Sequence, residues 1–227
     1  LETNIDEALL ISARVDVNSQ IPITSQILRI AVYDEFKAYE TYTKIIEKFG
    51  LVQPFVNIKE AEAVHYAALI KLMEKYGVEV PLNNWASKIE IPNTLIECCE
   101  MGVAAEIANI AMYNNLLEFT IENDIKDTLY RLQAASFNNH LPAFRNCVLN
   151  YYTNGNNTNI NQENIMEKLG EYQVILDDIM SGNIDENSIS TIFSKLNLSM
   201  VSGAVLGAAT IALLNNYLSK KNIKEEE

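Results

Sequence analysis

Two histidines occur in the 227 residues, and both stand in segments patterned for burial. His65 follows Glu62 by three positions in the stretch KEAEAVHYAAL, and residues three apart on a helix share a face. That face also carries Ile58, Leu69, Leu72 and Tyr76. Glu35 interrupts a second apolar stripe made of Leu28, Ala31, Ala38, Tyr42, Ile45 and Phe49. Glu106 and Asn109 interrupt a third, Leu95, Cys99, Gly102, Tyr113 and Leu116. Ser136 and His140 interrupt a fourth, Leu129, Leu132, Phe144 and Cys147. Burying one carboxylate costs several kcal/mol unless something compensates it. No Lys or Arg shares these stripes at the same level. A divalent cation compensates all three acids together, and carboxylate oxygens with imidazole nitrogens suit iron, manganese or zinc.

Helices must bring these residues to one level. Proline and glycine are scarce, with five and eight, and most separate long periodic runs. The pattern predicts six helical segments and no strand. After an N-terminal extension over 1–23, partly helical around 5–14, a helix runs from about 25 to 49, with Thr24 as N-cap and a stop at Gly50. A second starts after Asn57, where Asn57 and Glu60 resemble a capping box, and ends before Gly77. A third follows Pro92 and extends to about 122. A fourth covers about 125–151, with a kink expected at Pro142. Four long helices, two short turns and one longer connection describe a four-helix bundle over 24–152. A polar loop and an amphipathic helix follow over 153–186, then a hydrophobic helix and charged tail over 187–227.

The formal net charge of −13, with only 17 Lys and Arg, leaves no basic patch able to neutralise a phosphate backbone, so nucleic acid is not an expected partner. Cys98, Cys99 and Cys147 form neither a disulfide framework nor a zinc-binding CxxC spacing, and read as small buried thiols.

Four stretches carry a resemblance: Glu35-Phe-Lys-Ala-Tyr39, Glu62-Ala-Val-His65, Gly102-Val-Ala-Ala-Glu106 and Ala135-Ser-Phe-Asn-Asn-His140. In this order, on four helices, they resemble the ferritin-like superfamily, and within it the family named domain of unknown function 2202. The resemblance spans about residues 26–152. It implies an all-α, ferritin-like bundle holding one or two ions of iron or manganese, with Glu35, Glu62, His65, Glu106 and His140 as metal ligands. It implies a possible ferroxidase or peroxidase activity. One position departs from the pattern: the second E-x-x-H requires Glu at 137, and Phe137 stands there. Asn109, Ser136 and Asn139 are candidates for the missing oxygen donor. Tyr33, Tyr39, Tyr42, Tyr66 and Tyr113 read as core aromatics, any of which could donate a hydroxyl to a ligand carboxylate.

The stretch LSMVSGAVLGAATIALLNNYL, 198–218, has neither charge nor amide side chain up to Leu214. Small residues recur every fourth place in it, Gly203 and Gly207, then Ala204, Ala208 and Ala212, a pattern that lets helix backbones approach closely. Three readings stand open: a membrane anchor, a helix buried between subunits of a homo-oligomer, and a helix packed within its own chain. For a spanning helix, Lys220, Lys221 and Lys224 favour a cytoplasmic C-terminus and a bundle outside the cytoplasm. A cut leader, suggested by Leu1 in place of Met, agrees with that placement. The expected function is metal binding on a ferritin-like bundle. The alternative is a structural, self-assembling protein whose metal site is reduced or lapsed.

Overall fold

The computed structural model describes residues 3–154, and all regular elements among them are helical. Helix α1 spans Glu7–Ser12, α2 Ile23–Phe49, α3 Phe55–Tyr76 and α4 Leu95–Phe119. The last rod is composite: α5 (Asn123–Ala135), a π-helical turn (Ser136–His140) and α6 (Leu141–Asn154). A 3₁₀ turn, Trp85–Ser87, interrupts the connection between α3 and α4. Segment 198–218, with Gly203, Ala204, Gly207, Ala208 and Ala212, lies outside the described residues. No helix among those described is long and apolar enough to cross a membrane.

Two apolar clusters, one above the other, define the direction of each rod. The first gathers Ile27, Leu28 and Ile30 of α2, Leu69 and Met73 of α3, Tyr113 and Leu116 of α4, and Ile125 and Leu129 of α5. The second gathers Tyr42 and Ile45 of α2, Phe55 and Ile58 of α3, Cys99 and Val103 of α4, and Phe144 and Val148 of α6. Helix α2 and the α5–α6 rod therefore run from the first cluster to the second. Helices α3 and α4 run the other way, parallel to each other. Two parallel rods cannot be joined by a tight turn, so residues 77–94 must travel the length of the bundle. They do so along α2. The Trp85 indole N–H donates to the Tyr33 carbonyl at 2.9 Å, Asn83 donates to Glu40, Lys44 to the Ile89 carbonyl, and Lys48 to the Pro92 carbonyl.

Helix ends show where local signals acted and where they were overridden. Gly77 closes α3 in the left-handed region (φ 65°), with its N–H on Glu74 and that of Val78 on Met73. Thr24 is not an N-cap. Helix α2 begins one residue before it, after Pro22, and the Thr24 hydroxyl donates instead to Glu122 at 2.7 Å, tying α2 to the start of α5. The expected box at Asn57 and Glu60 is also absent, because α3 opens at Phe55 and Asn57 lies inside its first turn, bonded to Gln53. The capping box of this fold belongs to α4: Thr94 accepts from the Glu97 N–H, and Glu97 accepts from the Thr94 N–H. Pro142 does not sit in an unbroken α-helix. It lacks an N–H and its ring crowds the carbonyl four residues back, and a wider π turn immediately before it accommodates both effects.

Cysteine corrects a further expectation. Cys98 is a free, buried thiol, but Cys99 and Cys147 are joined as a disulfide. They sit on facing stripes of α4 and α6 with Cα atoms 6.0 Å apart, a proximity that arises only once the bundle is assembled.

Candidate metal centre

Each rod crosses from one apolar cluster to the other through a polar layer. Glu35 lies on α2, Glu62 and His65 on α3, Glu106 on α4, and His140 on the π turn. The structure brings all five together. The three carboxylates are 2–3% exposed, His140 is 4% and His65 9% exposed, so solvent does little to stabilise their charge.

Glu62 is the centre of the arrangement. Its Oε2 lies 2.7 Å from His65 Nδ1, and its Oε1 lies 3.3 Å from His140 Nδ1. Glu35 Oε2 approaches the same nitrogen of His65 at 3.2 Å, and Glu106 Oε2 approaches that of His140 at 3.5 Å. The imidazoles stack, with ring centroids 5.5 Å apart and planes 23° from parallel. Two overlapping triads result, Glu35–Glu62–His65 and Glu62–Glu106–His140, and in each one donor atom per residue lies within 4.8 Å of the others. The outer carboxylates are anchored alike: the Tyr113 hydroxyl donates to Glu35 Oε1, and the Tyr42 hydroxyl donates to Glu106 Oε1.

Electrostatics follow from this crowding. Burial pushes the Glu35 carboxyl up, the neighbouring Glu62 charge adds to that, and His65 opposes it, leaving a pKa of about 7. Burial also works to raise Glu62, but the nearby His140, His65 and Glu35 outweigh it, and its pKa falls below the usual carboxylate range. Burial disfavours the charged imidazoles, yet Glu35 and Glu62 lift His65 to about 10, and Glu106 and Glu62 lift His140 to about 10. Burial beside a carboxylate holds the hydroxyls of Tyr42 and Tyr113 protonated well past the ordinary tyrosine range, so both stay donors.

Buried polar atoms are normally satisfied. His140 Nδ1 is the exception: it is buried and lies between Glu62 Oε1 at 3.3 Å and Glu106 Oε2 at 3.5 Å, close enough for ion pairing but aligned for a hydrogen bond with neither. An imidazole nitrogen facing two carboxylate oxygens is a donor set that suits a transition-metal ion.

The candidate extra donors fare differently. Asn139 is exposed. Ser136 is buried, but its hydroxyl donates to Asn109 Oδ1 at 2.8 Å, and the Asn109 amide donates to Asp34 Oδ2 at 2.9 Å. Ser136 is thus engaged with Asn109, and Asn109 with Asp34. Phe137, where the family pattern expects Glu, packs against the second apolar cluster. Asp34 is not on any of the four stripes that the sequence marks out. It lies one residue off the Glu35 stripe, and only the small residues facing it across α4 could have signalled its pocket.

Comparison with known proteins gives a consistent picture. An uncharacterized protein of Methanocaldococcus jannaschii, MJ0754, is 29% identical over 136 residues, covering 53% of this chain and 72% of its own length. The crystal structure of the hypothetical protein MJ0754 matches with a TM-score of 0.53 at 23% identity, over 67% of this chain and 95% of that one, which shows a shared fold. The model of an uncharacterized protein domain, DUF2202, matches residues 25–170, and the chain belongs to that family.

Proposed function

We propose that this is a ferritin-like metal-binding protein that holds iron or manganese between Glu35, Glu62, His65, Glu106 and His140. The observation that carries the reading is Glu62 set between two imidazoles, with Glu35 on the outer side of one and Glu106 on the outer side of the other, all five buried. A buried ionic cluster is a poor way to stabilise a core, since well-packed apolar residues do as well or better. Five such groups at one level therefore point to function. The path of residues 77–94 along α2 agrees, because ferritin-like bundles have one long crossover. A bound redox metal would supply electron transfer to a small oxidant. The chain's own part is to exclude water with two apolar clusters and to fix the outer carboxylates with Tyr42 and Tyr113. Metal analysis of protein purified without chelator from metal-replete cells tests this. Stoichiometric iron or manganese is expected, and trace metal alone contradicts it.

A second reading is favoured by Phe137, which removes one carboxylate of the family pattern. In it the bundle serves chiefly for self-assembly through 188–218 and the metal site is reduced. It predicts that deleting 188–218 lowers the oligomer size seen by light scattering, and unchanged size contradicts it.

A further inference from the structure

A cavity of about 60 Å³ opens between α2 and α4 and reaches Glu62 and Glu106. It exists because small side chains face it, Ala38 on α2 with Ala105 and Ala108 on α4. Ala108 is exposed at the rim, Ala105 is half-buried, and Glu106 is buried, so the lining passes from solvent to the centre. A water needs roughly 10–15 Å³ of such space, so the cavity holds about four to six. That is room for a cation shedding part of its hydration shell and too little for an organic substrate.

The charged lining favours a cation. Asp34, Glu62 and Glu106 face Lys37 alone, and the Lys37 ammonium sits 5.7 Å from the centroid of the Trp85 ring. Asp34 is half-buried partway along. Asn109 fixes its Oδ2 and is itself fixed by Ser136 of the π turn. Its Oδ1 has no hydrogen bond among the described residues. The two carboxylates at its inner end, Glu62 and Glu106, are the ones that face His140 Nδ1, at 3.3 and 3.5 Å.

We propose that this cavity is the route by which a divalent cation enters the centre, with the Asp34 carboxylate as its transit ligand. The inference rests on the metal-binding reading above. Asp34 acts on entry and belongs to neither triad, so its loss changes the rate of loading and leaves the capacity intact.

The test is stopped-flow mixing of Co(II) with the full-length, metal-free protein, read by the visible absorption that coordination produces. Asp34→Asn slows loading about tenfold at unchanged final amplitude, as expected when a charge is removed from a narrow charged cleft. Asp34→Glu recovers most of the rate. Ala105→Leu, which fills the cavity and leaves the Asp34 carboxylate in place, also slows loading; if circular dichroism shows it unfolded, Ala108→Met at the rim replaces it. Wild-type rates in both Asp34→Asn and the cavity-filling variant overturn the route. A lower final amplitude in Asp34→Asn makes Asp34 a ligand of the centre, and also overturns it. Absence of Co(II) uptake by the wild-type protein is a separate result, which overturns the metal-binding reading itself.

Discussion

Glu62 serves both triads, and the other acids serve one each. Glu62→Gln is therefore expected to abolish binding at both halves. Glu35→Gln should leave the Glu62–Glu106–His140 half able to bind, and a Mn(II) or Co(II) titration of the two variants separates these outcomes. The raised pKa values of the histidines, about 10 each, give a second expectation. A raised value means that in the metal-free protein both imidazoles carry a proton through neutral pH, and that proton leaves only as pH climbs towards 10. Ligand nitrogens must be bare, so loading near pH 7 releases protons and affinity rises with pH. Calorimetry in two buffers of different ionisation enthalpy measures the release, and none at all would argue against the two nitrogens as ligands. Tyr113→Phe leaves a buried carboxylate oxygen of Glu35 without its donor. It should cost the metal-free protein roughly 1–3 kcal/mol in a urea melt, the usual loss for an unsatisfied buried group.

Helix α4 must lie close to α6 for Glu106 to meet His140, and two features hold it there. Gly102 is one. A methyl group at that position would sit 2.5 Å from the Phe144 ring, so Gly102→Ala must push that ring, and with it the packing of α6, away. Overpacking of this kind costs about 1–3 kcal/mol, and here it should also weaken metal binding by moving His140. The Cys99–Cys147 bond is the other, closing a loop with sequence separation 48. Breaking it with Cys147→Ser should lower stability by about 2–4 kcal/mol, and thiol titration under denaturing conditions reports whether the bond is present. Much of this level was legible in the sequence. Glu35, Glu62, Glu106 and His140 stand out because each breaks a 3.6-residue apolar stripe, and four stripes imply four rods that meet at one level. Gly50 and Gly77 mark helix ends by their own backbone freedom. Signals that depend on partners far along the chain were not legible. Thr24 looks like a cap until Glu122 is seen beside it, Cys99 looks like a buried thiol until Cys147 faces it, and the π turn depends on how Pro142 is absorbed within a packed rod.

At the scale of the whole molecule, the polar layer splits what would otherwise be one continuous core into two clusters. The metal-free protein thus carries a costly middle that a bound cation would relieve. Binding to the folded state alone stabilises it by about 2.7 kcal/mol at a hundredfold excess over Kd, so the melting temperature should rise with added Mn(II) or Fe(II) and fall back with chelator. The connection along α2 matters at this scale as well, because it sets α3 and α4 parallel and so places Glu62 and Glu106 on either side of His140. The most direct measurement is an anomalous difference map at the iron and manganese absorption edges, from crystals of protein purified without chelator. We expect a peak between the Glu62 carboxylate and the Nδ1 atoms of His65 and His140. A map with no peak there, and with Glu62 hydrogen-bonded directly to both imidazoles, would contradict a metal centre.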